Sequence, residues 1–230
     1  MPNCRDDDLM IPYRALQRDR EDLFCNAASG GIDILTDAKA ISDAQDAARS
    51  ARERNGQHSD DTRVGLLARD PYMTIVRDAV RFPDGSLGLY NRIIEGRSVA
   101  ILPVLGDRLV LVRLFRHGLR DWSLEFPRGG CEPNEESETA ARRELSEEIG
   151  ATAGELTSLG KFTPGGSSLS IIAQFYLAHI DGIGAPDLSD GIGSIVLASI
   201  PEVEDMIRSS QIIDGFTLAI FLRARLAGLV

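Results

Sequence analysis

Residues 124–151 read LEFPRGGCEPNEESETAARRELSEEIGA, a glycine-containing loop that leads into a carboxylate-rich helix. The spacing from Gly129 onward is G-x5-E-x7-REL-x-EE-x-GA. Residues three and four apart share one face of a helix, so Glu144, Glu147 and Glu148 are predicted to project from one side. Like charges on one face repel each other, and a cation among them, Mg2+ or Mn2+, explains the pattern best.

The composition of the whole chain excludes several classes of protein. It has 230 residues, of which 43% are hydrophobic and 26% charged, which is typical of a soluble globular protein. The net charge of -10 disfavours a broad nucleic-acid surface but allows a small phosphate-bearing substrate. No apolar run approaches the roughly 18 residues of a membrane span. The N-terminus has no secretory signal pattern and the three cysteines are widely separated, so we expect a cytoplasmic protein with reduced thiols.

The first part of the chain differs in composition from the rest. Residues 1–65 are polar, and Asp37 to Arg54 is predicted to be a helix that stops at Asn55-Gly56. Its apolar positions are mostly alanines, which indicates a solvated helix packed loosely on the domain or on a partner chain. A regulatory role is the alternative. We expect a helical N-terminal extension over 1–65 and a single catalytic domain over 66–230.

The second part alternates strands with two helical layers. Pro83-Asp84-Gly85 predicts a hairpin between MTIVRDAVRF and SLGLYNRIIE, and Gly106-Asp107 predicts a second between SVAILPVL and RLVLVRLFR. WSLEF, LTSLGKF, SIIAQFYLAHI and SIVLASI are further predicted strands. Helices are expected over 136–149, from Pro201 to Arg208, and as an amphipathic C-terminal helix. This order predicts an α/β fold with helices layered on a mixed sheet.

The stretch 124–151 resembles the Nudix box at every defining position, and the resemblance to this hydrolase superfamily extends over about residues 66–228. So many fixed positions make the match far more specific than a short glycine motif. The resemblance implies a Nudix-type α/β/α sandwich with a mixed β-sheet. It also implies divalent-metal-dependent hydrolysis of a nucleoside diphosphate linked to another group.

Roles for individual residues follow from the same resemblance. Glu144 and Glu148 would be the main metal ligands, and Glu147 a further ligand or a carboxylate that orients the attacking water. The backbone carbonyl of Arg128 would complete the metal site. The other motif positions are expected to brace the loop and the helix: Gly129, Glu135, Arg143 and Gly150.

The preceding sequence, LVLVRLFRHGLRDWSLEFPRGG, resembles the ADP-ribose pyrophosphatase subgroup. This likeness implies that Arg116 contacts a substrate phosphate and that Glu125 supports the metal site. Pro164 lies at about the downstream distance that the subgroup favours. Tyr90 or Arg92, in strands that resemble those crossing to a second subunit in the subgroup, would serve the adenosine pocket.

The chain departs from the subgroup in two places. Leu114-Phe115 stands where the subgroup often has Gln-Tyr, which removes a polar contact. The late loop, where ADP-ribose hydrolases commonly present a catalytic glutamate, has no Glu between Gln174 and Glu202. Asp190, with Asp187 as the other candidate, is therefore the predicted catalytic carboxylate of that loop, although both are also common turn residues.

The resemblance thus implies an Mg2+- or Mn2+-dependent Nudix pyrophosphohydrolase that cleaves the pyrophosphate bond of a small nucleotide substrate, a nucleoside diphosphate sugar, with ADP-ribose converted to AMP and ribose 5-phosphate. A homodimer is expected, and neither nucleic acid nor a membrane is expected as a partner. Two alternatives stay open. One is hydrolysis of another nucleotide sugar or a dinucleotide, and the other is a non-catalytic nucleotide-binding regulator on the same scaffold.

Overall fold

A computed structural model describes residues 6–58, 61–185 and 191–230. The helices are α1 (Asp6–Asp19), α2 (Ala38–Arg54), α3 (Ser137–Ile149), α4 (Ile200–Arg208) and α5 (Gly215–Leu226), with a 3-10 turn at Glu21–Leu23. The strands are β1 (Asp33–Ile34), β2 (Gly65–Arg69), β3 (Met73–Arg81), β4 (Leu87–Glu95), β5 (Ser98–Leu105), β6 (Arg108–Arg116), β7 (Asp121–Glu125), β8 (Arg128–Gly130), β9 (Ala153–Phe162), β10 (Leu169–Ser170), β11 (Ala173–Ile180) and β12 (Ile192–Ala198). Within the described ranges, no helix is long and apolar enough to cross a membrane.

These elements form two compact units. The first contains the chain up to Glu95 together with Gly165–Ser170, and the second contains Gly96–Pro164 and Ile171–Val230. By its contacts, the β3–β4 hairpin therefore belongs with the N-terminal helices. Compactness and common descent are different criteria, so the division at residue 65 into an extension and a catalytic domain stays a prediction.

The first unit is built on an antiparallel hairpin. β3 and β4 pair along their full length, β1 and β2 both pair with β3, and β10 lies parallel to β4. The carboxylate of Asp84 accepts a hydrogen bond from the Ser86 amide at 2.9 Å, and Gly85 takes the left-handed conformation with φ 84°. The hairpin that the Pro-Asp-Gly signal predicts is confirmed.

Two helices complete the first unit. The side chain of Asp37 caps α2 by accepting from the amides of Lys39 and Ala40, and Ala44 and Ala48 of α2 are buried. The predicted helix is confirmed, and Ile41, Ala44 and Ala48 form its buried face, whereas most of its other side chains are exposed or partly buried. The sequence does not predict α1, because this helix contains Pro12 and proline normally breaks a helix.

The second unit is a mixed sheet between helices. The strand order is β12-β6-β5-β11-β9, with β7 paired to β6 and β8 to β5. Among the pairings that the described residues of this sheet make, only β5–β11 is parallel. Val99 and Ile101 of β5 pack with residues of α3, whereas Ala100 and Leu102 pack with residues of α4 and α5. Successive side chains of a strand face opposite sides, so the unit is an α/β/α sandwich.

Two details of the second half differ from the sequence prediction. The chain between β9 and β11 is not a simple connection, because Leu169–Ser170 pairs with β4 of the first unit's sheet. The prediction of an amphipathic C-terminal helix is wrong. Ile220 and Phe221 of α5 are buried, but Leu222 is 57% and Leu226 is 79% exposed. The sequence of α5 contains too few polar residues to supply a polar face.

Candidate functional site

The strand before the carboxylate helix connects the sheet to that helix through its backbone. The Pro127 carbonyl accepts from the amide of Ile101 in β5 at 2.8 Å. One residue later, the Arg128 amide donates to Oε2 of Glu148 in α3 at 3.3 Å. The N–H and C=O of one strand residue point to the same edge, and successive residues alternate. The carbonyl of Arg128 is therefore directed to the same edge as its amide, toward α3.

The next residue, Gly129, lies directly against a buried carboxylate. A Cβ atom added to Gly129 would lie 2.1 Å from Cδ of Glu144, far inside van der Waals contact. Glu144 is only 7% exposed, so its side chain has little room to move away. Any larger residue at this position would displace either the loop or the carboxylate.

Arg143 joins the loop to the helix. Its Nη1 donates to Glu144 and Glu147 at 2.8 Å each, while its Nε and Nη2 donate to Glu135 at 3.1 and 3.0 Å. Nη2 also donates to the Gly130 carbonyl at 2.7 Å. The hydrogen bond with Glu135, followed by those with Glu144 and Glu147, raises the pKa of Arg143 despite its partial burial. One permanently charged guanidinium thus organises three glutamates of the motif.

A second carboxylate cluster lies at the end of β7. Glu125 is 1% exposed and accepts from Nε and Nη2 of Arg116 at 2.9 and 2.5 Å and from Nε of Arg128 at 2.9 Å. Burial alone would raise the pKa of Glu125. The Arg116 hydrogen bonds and the two positive charges outweigh burial and lower this pKa to about 2. Glu125 is therefore ionised at any physiological pH and holds both arginines.

The predicted metal ligands have suitable chemistry but are not arranged around a preformed site. Among the described residues, no group of three or more His, Cys, Asp and Glu is positioned to hold an ion. Arg143 contacts Glu144 and Glu147, and Glu148 contacts the Arg128 amide. Carboxylates and a backbone carbonyl are nevertheless the hard oxygen donors that Mg2+ and Mn2+ prefer. The residues fit such an ion if Glu144 and Glu147 turn from the Arg143 guanidinium to bind the ion instead.

The two residues predicted for the adenosine pocket lie in the first unit. Arg92 donates from Nε to Oδ2 of Asp78 at 2.6 Å and from Nη1 to the Leu23 carbonyl at 2.7 Å. Tyr13 donates its hydroxyl to Asp78 as well, and burial followed by the Asp78 charge raises the pKa of Tyr13. Tyr90 is partly buried and faces Asp78 across the β3–β4 pairing. The substrate roles of Tyr90 and Arg92 stay predictions.

Three other predicted positions have little structural context. Pro164 is exposed and is the last residue of the second unit before the chain enters β10. Asp187 and Asp190 lie outside the described residues. Their roles at the active site therefore stay predictions.

The sequence reading missed three residues at the start of α5. Asp214, Phe216 and Thr217 all contact the loop segment before Gly129. An Asp before an apolar run signals a helix start, and Asp214 is indeed the N-cap of α5. No sequence signal indicates that this cap would reach the loop, because that contact depends on tertiary packing.

The family model described as NUDIX domain matches residues 95–211, slightly more than half of the chain. A solved structure titled "Crystal structure of ADP compounds hydrolase" superposes with a TM-score of 0.62 at 24% sequence identity, covering 73% of this chain and 94% of that one. This likeness confirms the predicted fold.

Two curated relatives are similar over part of their length. "ADP compounds hydrolase NudE" of Escherichia coli (strain K12) is 31% identical over 127 residues, which cover 54% of this chain and 64% of the relative. "ADP-ribose pyrophosphatase" of Bacillus subtilis (strain 168) is 33% identical over 101 residues, which cover 44% of this chain and 55% of the relative. The chain thus spans less than two thirds of either relative. The match of the family model, together with the motif on β8 and α3, shows that the chain belongs to the Nudix family.

Proposed function

We propose that this Nudix protein is a divalent-metal-dependent pyrophosphohydrolase whose substrate is ADP-ribose. The observation that carries the proposal is the pair of buried carboxylates on α3, with Glu144 against Gly129 and Glu148 on the Arg128 amide. They lie beside a carbonyl directed to the same edge, and such oxygen donors suit a hard cation. The names of the relatives from E. coli and B. subtilis support an ADP-containing substrate.

The proposed reaction is hydrolysis of the pyrophosphate. When bound, Mg2+ or Mn2+ neutralises phosphate oxygens and lowers the pKa of the attacking water. The water oxygen bonds to one phosphorus, and the bond from that phosphorus to the bridging oxygen breaks, so the bridging oxygen leaves on the other phosphate. ADP-ribose gives AMP and ribose 5-phosphate.

Individual side chains of the chain have proposed tasks in this reaction. The proton of the attacking water passes to a carboxylate. We propose that this is either Glu147, which is the exposed one of the three predicted metal-site glutamates on α3, or Asp190. Arg116 is proposed to contact a substrate phosphate. Its pair with Glu125 uses two of the five N–H donors that a guanidinium carries, so donors remain for a substrate oxygen.

The direct test is incubation of the full chain with ADP-ribose and either Mg2+ or Mn2+, followed by ion-exchange chromatography. We expect equal amounts of AMP and ribose 5-phosphate, and none when EDTA is added. Absence of AMP at high enzyme concentration with both metals would reject the substrate assignment. A panel of other nucleotide sugars and dinucleotides then tests whether the leaving group is a different one.

A matched pair of variants on one helix tests the site itself. Glu148→Gln should lower kcat by more than about 100-fold, the upper end of the cost of losing a mere supporting partner. Glu138→Gln is the control, because Glu138 lies on α3 but pairs with Arg142 at 2.9 Å. It should keep kcat within about twofold, as expected for an exposed ion pair. Equal loss in both variants would indicate damage to the helix rather than to a site.

One observation favours a non-catalytic regulator as the second candidate. Arg143 is bonded to Glu144 and Glu147, so a guanidinium contacts two of the carboxylates that would hold the ion. Calorimetry distinguishes the two functions. Tight binding of ADP-ribose without any product in the presence of Mg2+ would support the regulator.

The remaining sequence expectations have their own tests. Asp190→Asn should lower kcat if Asp190 accepts the proton, and a loss in Asp187→Asn instead would assign that role to Asp187. Light scattering of the purified chain checks the predicted homodimer. The cytoplasmic location stays a prediction that cell fractionation would test.

A further inference from the structure

The segment Phe126-Pro127-Arg128 is bonded to three different elements of the second unit. The Phe126 amide donates to Oγ1 of Thr217 in α5 at 3.1 Å. The Pro127 carbonyl bonds to β5, and the Arg128 amide donates to Glu148 of α3 at 3.3 Å. Three consecutive residues thus fix the position of the loop relative to α5, β5 and α3 in turn.

The contact with α5 is an oriented hydrogen-bond chain. Thr217 is 1% exposed, and its hydroxyl donates to Oδ2 of Asp214 at 2.8 Å. Because that proton is committed to Asp214, a lone pair of the same oxygen faces the Phe126 amide. Thr217 therefore accepts from the loop while it donates within the first turn of α5.

Arg128 closes this chain into a ring. Its Nη2 lies 3.5 Å from Oδ1 of Asp214, the carboxylate oxygen that Thr217 does not use. Its guanidinium also lies 4.6 Å from the ring centroid of Phe216, within cation–π range. The start of α5 thus contacts both the residue that precedes Pro127 and the residue that follows it.

We propose that the first turn of α5 positions the loop segment Phe126-Pro127-Arg128 beside the proposed metal site, with Thr217 as the main positioning residue. This inference rests on the proposed function, since it concerns how the Arg128 backbone and Glu148 are presented to a cation. Because Thr217 is buried, its proposed role is to position the loop rather than to contact the cation or the substrate. It fixes the Phe126 amide, and a shift of the loop there moves the Arg128 amide and carbonyl two residues later.

Two substitutions at position 217 separate the hydroxyl from the shape of the side chain. Thr217→Val keeps the volume but removes the acceptor, and leaves the buried Phe126 amide without it. Thr217→Ser keeps the hydroxyl and should behave as wild type. Thr74→Val in β3 is the matched control, because Thr74 is also buried, at 8% exposure, but lies in the first unit.

The first readout needs neither metal nor substrate. Amide hydrogen exchange of the full chain should be at least about tenfold faster at Phe126 and Arg128 in Thr217→Val, the effect expected when a buried hydrogen bond is lost. Exchange at these amides should be unchanged in Thr217→Ser and Thr74→Val. Unchanged exchange in Thr217→Val would overturn the proposal.

The second readout is binding of Mn2+ alone, followed by the electron paramagnetic resonance signal of the unbound ion. Thr217→Val should weaken Mn2+ binding about tenfold, the scale of a lost supporting interaction, and Thr217→Ser should restore it. Wild-type Mn2+ affinity in Thr217→Val would contradict the positioning role.

A second variant covers the case in which Thr217→Val does not fold. Asp214→Asn keeps a good helix cap but removes the charge that faces Arg128. Hydrogen exchange at the Phe126 and Arg128 amides should therefore be faster than in wild type. If Asp214→Asn changes neither exchange nor Mn2+ binding, the proposal is wrong. Failure of the proposed function looks different: wild type would then turn over no nucleotide, whereas hydrogen exchange, which needs neither metal nor substrate, would still test the role of Thr217.

Discussion

Two buried carboxylates, Asp78 in the first unit and Glu125 in the second, have nearly the same surroundings. Each is 1% exposed and each is held by arginine, Asp78 by Arg92 and Glu125 by Arg116 and Arg128. The difference lies in what their partners are attached to. Tyr13 and Arg92, the partners of Asp78, connect a helix to a strand. Arg128, a partner of Glu125, also donates its backbone amide to Glu148, a predicted metal ligand.

From this difference we predict a structural role for Asp78 and a functional role for Glu125. Asp78 joins Tyr13 of α1 to Arg92 of β4, so it holds a helix on a sheet. Glu125 fixes Arg128, whose amide donates to Glu148. Buried ion pairs are weak indicators of stability in themselves, so their neighbours decide what they do. Substitutions in the two clusters should therefore affect different measurements.

The largest expected effect is on stability in the first unit. Asp78→Ala leaves the Arg92 guanidinium, only 15% exposed, without its carboxylate, which should cost roughly 3–5 kcal/mol in the free energy of unfolding. Urea unfolding measures this, and kcat of the folded protein should stay within about twofold. A loss below about 1 kcal/mol together with a raised KM would instead support the predicted substrate role of Arg92.

The next effect is a pH dependence of stability in the second unit. The pKa of Glu125 is about 2 in the folded protein, against an ordinary value of 4.5, so the unfolded chain binds the proton more tightly. The stabilisation is therefore complete above about pH 4.5 and disappears as pH falls toward 2. The free energy of unfolding of wild type, measured by urea unfolding at a series of pH values, should exceed that of Glu125→Gln by about 3 kcal/mol at neutral pH. This difference should shrink below about pH 4.5. A pH-independent difference would contradict the ion-pair explanation.

Activity should also respond to Glu125 but not to an equally buried carboxylate elsewhere. Glu125→Gln should lower kcat about 10- to 100-fold, because Arg128 loses the charge that fixes it beside the loop. Asp78→Asn is the matched control, since it changes a buried carboxylate to an amide in the first unit, and it should keep kcat within about twofold. Steady-state hydrolysis of ADP-ribose compares the two, and equal losses would remove the distinction between the clusters.

The smallest effect is expected where the ion pair is exposed. Asp43 of α2 pairs with Lys39 at 2.6 Å, but the two side chains are 47% and 83% exposed. Asp43→Ala should change the free energy of unfolding by less than about 0.5 kcal/mol. Urea unfolding beside Asp78→Ala gives the contrast directly, and similar losses would show that burial does not set the strength of these pairs.

The sequence predicts those features that local signals determine. The turn at Asp84-Gly85, the start of α2 at about Asp37 and the end of α3 at Gly150 all depend on a few adjacent residues, and the structure has each of them. The motif also brings Glu144 and Glu148 together, because helical spacing fixes their face. What depends on tertiary contacts could not be predicted, and the partner of Thr217 is the example.

Missed elements have a similar physical cause. α1 contains Pro12 and, over residues 8–19, buries only Tyr13 and Leu16, so its local propensity does not predict a helix. It is stabilised by packing and by the Tyr13–Asp78 bond. Arg92 is assigned a substrate role by resemblance alone; the structure adds its ion pair with Asp78, and the substrate role stays a prediction.

The central claim is that the α3 carboxylates hold the divalent cation needed for hydrolysis. Titration of Mn2+ into wild type, Glu148→Gln and Glu138→Gln, with the unbound ion measured by electron paramagnetic resonance, tests it most directly. Wild type and Glu138→Gln should bind Mn2+ equally, and Glu148→Gln at least about tenfold more weakly. Equal Mn2+ affinity in all three proteins would contradict the claim.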